Sequence, residues 1–250
     1  MVKKSEKNTK PKSSISKSAI DRVPTGIPGL DEIIGGGFVK NSTVLVRGDT
    51  GTGKSIFCLQ YLYEGALKYK EPGVYISFSE SEKVIEQHGL SLGWEMDKLK
   101  DENMLHIIRY EPHEVVNKLD QGGGSLRDTI ESVGAKRLVI DSLTAYEMVF
   151  ENNYKANESI LTLFELLRKW ESTALVTSEY PVTPSHESGG RLGFLTDGII
   201  NFYHIRTNSH RVRALEVIKM RDTLHQNEIN IFQIKKDGLG IVGKLHEKHF

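Results

Sequence analysis

From Asp21 onward, short apolar runs alternate with stretches whose apolar residues recur every three or four positions, and glycine or polar clusters separate them. Strands alternating with helices in this way predict an α/β fold around a parallel sheet. Thr43–Arg47 (TVLVR) reads as a strand, and Lys54–Lys70 as a helix with Ile56, Leu59, Tyr63 and Leu67 on one face. Gly73–Ser79 is a second strand, and Ser79 and Glu82 have the capping-box spacing that opens a helix, with Ser79 as its N-cap. Leu105–Tyr110, Arg137–Asp141 and Ala174–Ser178 continue the series of strands. A helical region broken at Gly122-Gly123-Gly124 runs to Gly134, and Asn157–Glu171 is a further helix. After Asp197 the pattern changes: Gly198–Ile205, Val212–Met220, Glu228–Ile234 and Leu239–Val242 are strands with turns alone between them. Strands so closely spaced predict an antiparallel meander on the edge of the parallel sheet. Each motif occurs once, so residues 21–250 are expected to form one domain behind a tail, residues 1–20.

Composition narrows the class. The 250 residues carry 33 Lys+Arg and 33 Asp+Glu, and 38% are hydrophobic, as in an ordinary soluble protein. No apolar run approaches the ~18 residues of a membrane helix, and no apolar leader stands at the N-terminus, so the expectation is a cytoplasmic protein with no membrane partner. The one cysteine, Cys58, excludes a disulfide framework and a cysteine-based zinc site, and is expected to pack inside a helix. The neutral total hides a basic tail: six lysines against Glu6 give residues 1–20 a charge of +5. Rich in Lys and Ser and nearly without apolar residues, the tail is expected to be disordered, a solubilising leader in preference to a basic arm that meets nucleic acid, lipid or an acidic partner.

The chemistry begins at Gly48-Asp49-Thr50-Gly51-Thr52-Gly53-Lys54-Ser55, which fits G-x-x-x-x-G-K-[ST] in full between a predicted strand and a predicted helix. That context identifies a P-loop. Its glycines let backbone N–H groups turn toward phosphates, and the following helix adds its positive end. Lys54 is expected to reach the β- and γ-phosphates of ATP, and the Ser55 hydroxyl to ligate Mg2+. Asp141 closes an apolar strand, where a carboxylate in such a fold holds the Mg2+ water shell. Glu80 lies just past the second strand. If that strand is inserted between the two strands carrying the P-loop and Asp141, Glu80 faces the γ-phosphate and can orient the attacking water.

Further segments carry a family likeness. Thr25-Gly-Ile-Pro-Gly-Leu-Asp31, Gly35-Gly-Gly37, Phe78-Ser-Glu80, Leu92-Gly-Trp94, Asp141-Ser142 and Leu215-Glu-Val-Ile-Lys219-Met-Arg221-Asp-Thr-Leu-His225 together resemble the KaiC-like ATPases. These form a branch of the RecA superfamily common in archaea, and the resemblance covers nearly all of 21–245. It implies a RecA-like α/β fold with ATP and Mg2+ bound between subunits of a homo-oligomer, a hexameric ring. By the same resemblance, Lys219 and Arg221 act on the neighbouring subunit's nucleotide as a trans finger, Thr223 and His225 lie near that nucleotide, and Ser91 near its base. Strand parity permits the finger, since residues i and i+2 share a face. The chain departs from the family in two places: Ser79 stands where a second glutamate is frequent, and Asp222 where glycine follows the Lys-x-Arg unit. Both departures imply slow hydrolysis.

Three classes of function remain to be compared. The first is a slow ATPase, with or without Ser/Thr autokinase activity and a regulatory protein partner. The second is a non-hydrolysing, ATP-gated assembly protein resembling the ATP-binding component of the archaeal motility motor. The third is a recombinase-like DNA-binding ATPase. Against the third, residues 142–158 and 179–197 each carry −2, and loops this acidic repel nucleic acid.

Overall fold

The computed structural model describes residues 20–120, 123–183, 192–206 and 210–245. The basic tail up to residue 19, part of the predicted glycine break, part of the acidic loop 179–197 and the C-terminal His246–Phe250 lie outside them. In chain order the elements are β1 (Arg22–Val23), α1 (Leu30–Ile33), β2 (Phe38–Val39), β3 (Thr43–Gly48) and α2 (Lys54–Glu64), the last running on as a π-helical turn, Gly65–Tyr69. There follow β4 (Gly73–Ser77), α3 (Glu82–Ser91), α4 (Met96–Asp101), β5 (Leu105–Arg109), α5 (Pro112–Asp120), α6 (Gly124–Ser132) and β6 (Arg137–Asp141). The chain continues with α7 (Leu143–Glu147), α8 (Asn153–Lys169), β7 (Thr173–Ser178), β8 (Gly198–Arg206), β9 (Arg211–Met220), β10 (Asn230–Lys235) and β11 (Gly238–Lys244).

Nine strands form one sheet in the order β11-β10-β9-β8-β3-β7-β6-β4-β5. From β8 to β5 all neighbours are parallel, and β8 to β11 pair antiparallel, so the expected meander is present. Strand parity splits the core. Val44, Val46, Tyr75, Val139 and Leu175 face α2 to α4, while Leu45, Val74, Ile76, Leu138, Ile140 and Val176 face the layer of α5 to α8. Strands buried on both faces read as unbroken apolar runs, which is why they were legible.

Helix α2 differs from the expected one-sided helix. Residues 57–64 are all buried, including Tyr61, and Leu67 of the supposed inner stripe is exposed. The β10–β11 hairpin wraps over the helix, and the Gln60 amide bonds both backbone groups of Leu239 at 2.6 and 3.0 Å. The helix after β4 is also corrected: Ser81, not Ser79, is its N-cap, because β4 ends two residues earlier than the apolar run suggests. Helix α8 starts at Asn153, its first turn closed by Asn152 Oδ1, which accepts from the Lys155 N–H at 3.0 Å.

At the start of β6, Arg137 is fully buried. Its guanidinium donates to the Glu71 carboxylate at 2.7 Å, the Tyr61 carbonyl at 2.9 Å and the Pro24 carbonyl at 2.8 Å, and it lies 4.5 Å over the Tyr61 ring. One side chain thus joins the N-terminal segment, α2 and β6. Truncation leaves buried carbonyls without donors, so Arg137→Ala is expected to lower unfolding free energy by about 3–5 kcal/mol, measured by urea denaturation.

Candidate functional site

Parallel strands place their carboxyl ends together, and the groups there define the site. After β3, residues 48–53 loop into the N-terminus of α2, with Gly48, Gly51 and Gly53 at positive φ. A Cβ at Gly48 would lie 2.5 Å from the Phe202 carbonyl oxygen, so only glycine fits. Lys54 is buried and donates to the carbonyls of Gly48 and Asp49 at 2.9 and 3.1 Å. Burial lowers its pKa, with Glu179 and then Asp141 the anions that most oppose the drop. Asp49 Oδ1 accepts from the Thr50 N–H, and the buried Thr52 hydroxyl donates to the Asp49 carbonyl, which holds the loop's shape. Ser55 lies in the first turn of α2.

Asp141, at the end of β6, is 8% exposed. Its two carboxylate oxygens accept hydrogen bonds from the Tyr75 and Thr177 hydroxyls. Burial, and next the Asp141 charge, push the Tyr75 phenol well above its usual pKa, so it remains a donor to that carboxylate. Ser55 and Asp141, the ligands expected from the sequence, offer a set of oxygen donors alone. No cluster of three or more His, Cys, Asp or Glu able to hold a metal occurs among the described residues. Such a set suits Mg2+, which keeps several waters and takes few protein ligands. Cys58, buried on α2 beneath, has its thiol pKa raised by burial, as expected of a packed residue.

The sheet corrects the premise used for Glu80. The strand inserted between β3 and β6 is β7, and β4 lies on the far side of β6. Glu80 still flanks the carboxyl edge: its N–H donates to Ser77 Oγ at 3.0 Å, and its carboxylate lies 3.7 Å from His88 Nδ1. The place between the two strands goes to Glu179, just past β7, whose N–H donates to Thr144 Oγ1 at 2.8 Å. Sequence reasoning counted Glu179 only as loop charge. The signal was available, since an acid directly after an apolar strand is the rule that found Asp141.

A cationic rim was also missed. His204 faces Arg213 and Arg206 faces Arg211 across β8 and β9, and His204, Arg211 and Arg213 line a cleft of about 610 Å3 beside the P-loop. His204 Cε1 lies 3.9 Å from the Cβ position of Gly51. Burial, then Arg213 and Arg211, lower the His204 pKa. Like charges placed opposite one another repel, and nearby negative charge relieves that repulsion.

The predicted finger lies elsewhere. Lys219 donates to the carbonyls of Gly193 and Thr196 at 2.8 and 2.6 Å, and Arg221 pairs with Asp197 at 3.1 Å and donates to the Phe194 carbonyl at 3.2 Å. Both cations therefore converge on one loop. Burial first, and Arg221 second, lower the Lys219 pKa. The Arg221 N–H bonds the Asp197 carbonyl, and the Asp197 N–H bonds that of Thr43, so the finger is level with the first residue of β3. The P-loop follows the last residue, Gly48, about 17 Å away at ~3.3 Å per residue. Thr223 and His225 belong to the finger side, with Thr223 Oγ1 donating to the Arg221 carbonyl at 3.1 Å and His225 Nδ1 lying 3.0 Å from the Gln226 carbonyl. Ser91, at the far end of α3, is not brought to the P-loop either. It lines a pocket of about 630 Å3 with Tyr63, Trp94, Lys236 and Asp237.

With this geometry in place, comparison with known proteins is decisive. The family model described as "ATPase: KaiC" matches residues 23–246. The chain belongs to the KaiC ATPase family. It is 33% identical over 232 residues to the circadian clock oscillator protein KaiC of Prochlorococcus marinus, covering 89% of this chain and 45% of that protein. The chain therefore spans about half the length of the KaiC clock proteins it matches. It is 32% identical to UPF0273 protein MJ1359 of Methanocaldococcus jannaschii, covering 87% of this chain and 95% of that one. The crystal structure of the KaiC-like protein PH0186 from Pyrococcus horikoshii OT3 superposes with a TM-score of 0.80 at 32% identity, covering 90% of this chain and all of that one. The RecA-like fold and its antiparallel extension are thus those of a KaiC-like domain.

In this KaiC-family chain Asp222 has a φ of +53°, the left-handed region that glycine enters freely. Aspartate is among the few other residues that tolerate it. Asp222→Gly is expected to raise stability by about 0.5–1 kcal/mol, read as a higher thermal midpoint.

Proposed function

We propose that the chain is a slow, Mg2+-dependent ATPase whose nucleotide lies between subunits of a homo-oligomeric ring, a hexamer. One observation carries the reading: the P-loop and the Lys219/Arg221 pair occupy opposite edges of the same sheet. A nucleotide on one subunit's P-loop is out of reach of that subunit's own finger and accessible to the finger of the next.

In this reading Gly48, Asp49, Thr50, Gly51, Thr52 and Gly53 cradle the phosphates, and Lys54 leaves its two carbonyl partners for the β- and γ-phosphate oxygens. Ser55 and Asp141 would hold Mg2+, which when bound would neutralise charge on those oxygens. Glu80, which flanks the carboxyl edge and stands at the family's acid position, orients a water for attack at the γ-phosphorus. Its oxygen forms the new P–O bond, the bond to the ADP oxygen breaks, and the water's proton passes to solvent or phosphate. Glu179 and the His204/Arg213 rim adjust the charge around the same phosphates. Lys219 and Arg221 of the neighbour stabilise the transition state, with Thr223, His225 and Ser91 completing the shared site. The location between subunits is supported by the family and by the edge geometry together, and the metal and the ring by the family. The absence of a second acid at Ser79 supports slow turnover.

Glu80→Gln, assayed for phosphate release from Mg·ATP under assembling conditions, is expected to lose on the order of 10²–10⁴-fold in rate while still binding ATP. If wild type binds ATP and releases no phosphate, the chain is a nucleotide-gated switch, and the hydrolytic reading fails.

For the trans assignment, Lys54→Ala lacks a working P-loop and Arg221→Ala lacks the finger. Each alone is expected to be inactive, and a mixture of the two to recover phosphate release. A mixture as inactive as its components refutes the assignment.

A further inference from the structure

The finger turn is held from outside its own hairpin. Arg22, on the short strand β1, spreads one guanidinium over two segments. Its Nη1 donates to the Ile34 carbonyl at 3.3 Å, the Gly37 carbonyl at 3.0 Å and Thr223 Oγ1 at 3.0 Å, and its Nη2 donates to the Asp222 carbonyl at 3.0 Å. Two of these acceptors follow Arg221 directly, and Thr223 Oγ1 in turn donates to the Arg221 carbonyl at 3.1 Å.

The glycine turn lies directly against this contact. Gly35, Gly36 and Gly37 have φ of +68°, +106° and +123°, and a Cβ on Gly36 would lie 3.7 Å from Arg22 Cδ. A second tether lies just beyond, where the Gln226 N–H donates to the Ile33 carbonyl at 3.0 Å. Among the described residues, Arg22 is the only side chain of the N-terminal segment that hydrogen-bonds the turn between the end of β9 and Gln226. The Arg22 guanidinium is planar with fixed donor directions, so it sets the orientation of the turn as well as its distance.

We propose that Arg22 is a positioning residue for the trans finger: it locks the Asp222–Thr223 turn against the Gly35–Gly37 turn and so aims Arg221 at the neighbouring subunit's nucleotide. The proposal rests on the trans reading above and adds a group that touches no nucleotide. Catalytic groups misplaced by about 1 Å lose on the order of 10²-fold in rate, which sets the expected effect of removing the lock.

The test separates aiming from general weakening by choosing which subunit carries the change. In the mixture of Lys54→Ala and Arg221→Ala subunits, the former donates the finger and the latter supplies the P-loop. Adding Arg22→Ala to the donor is expected to reduce the restored phosphate release on the order of 10²-fold. Adding it to the P-loop subunit should leave the restored activity within about twofold. Arg22→Gln, which keeps one amide donor, serves as the milder second variant, with the same asymmetry at smaller size. Equal losses in both placements, for both variants, overturn the positioning role while leaving the trans finger intact. Equal retention in both placements overturns it as well. If the parent mixture recovers nothing, the trans reading falls and this proposal falls with it.

Discussion

The parallel run of strands from β8 to β5 is the constraint on which the rest depends. Parallel strands require every crossover to return the chain to the same edge before the next strand begins. Phosphate-loop backbone, Asp141, Glu80 and Glu179 therefore collect at the carboxyl edge without any of them being close in sequence. When the direction finally reverses, in β9, the chain is carried to the opposite edge, and Lys219 and Arg221 leave the sheet beside the first residue of β3. Separation of the two charged centres follows from the direction of one strand.

Electrostatics at the two edges differ in kind. At the carboxyl edge Lys54 and Asp141 are buried and held by neutral partners, Lys54 by backbone carbonyls and Asp141 by two hydroxyls, while His204 is exposed beside arginines. Carbonyls are neutral partners, so an ammonium held by them exchanges them for phosphate oxygens at a Coulombic gain. At the amino edge Arg221 is instead half exposed and paired with a carboxylate, Asp197. Its release from that pair is the main electrostatic cost of engaging anything outside its own chain, and for an exposed pair that cost is small.

Most of the architecture was legible in the chain. Four strands buried on both faces, the half-buried β5 and four closely spaced strands have apolar runs of the right length, and the phosphate loop has a spacing with no common alternative meaning. Less legible was whatever depends on strand order. Assignment of β4 to the place between β3 and β6 failed because local pattern fixes where a strand is, and not which neighbour it pairs with. Glu179 was missed for the same reason. Helix α2 looked one-sided because its second cover, the β10–β11 hairpin, arrives about 175 residues later, a separation no periodicity registers. Arg22 and Arg137 are cations whose partners are mostly backbone carbonyls, and carbonyls have no signature in sequence.

Among the described residues strand β11 is the last of the sheet, with one side facing no other strand. An uncovered edge of this kind is a template for pairing with another chain. Here the backbone groups of Leu239 are both taken by the Gln60 amide, and the Ile241 N–H is taken by the Pro28 carbonyl at 2.9 Å. A side chain from α2 and a carbonyl from the N-terminal segment thus occupy positions a tenth strand would need. The sheet is closed to growth at this point, so copies of the chain can associate through side-chain surfaces without risk of fusing into a continuous β-structure along this stretch.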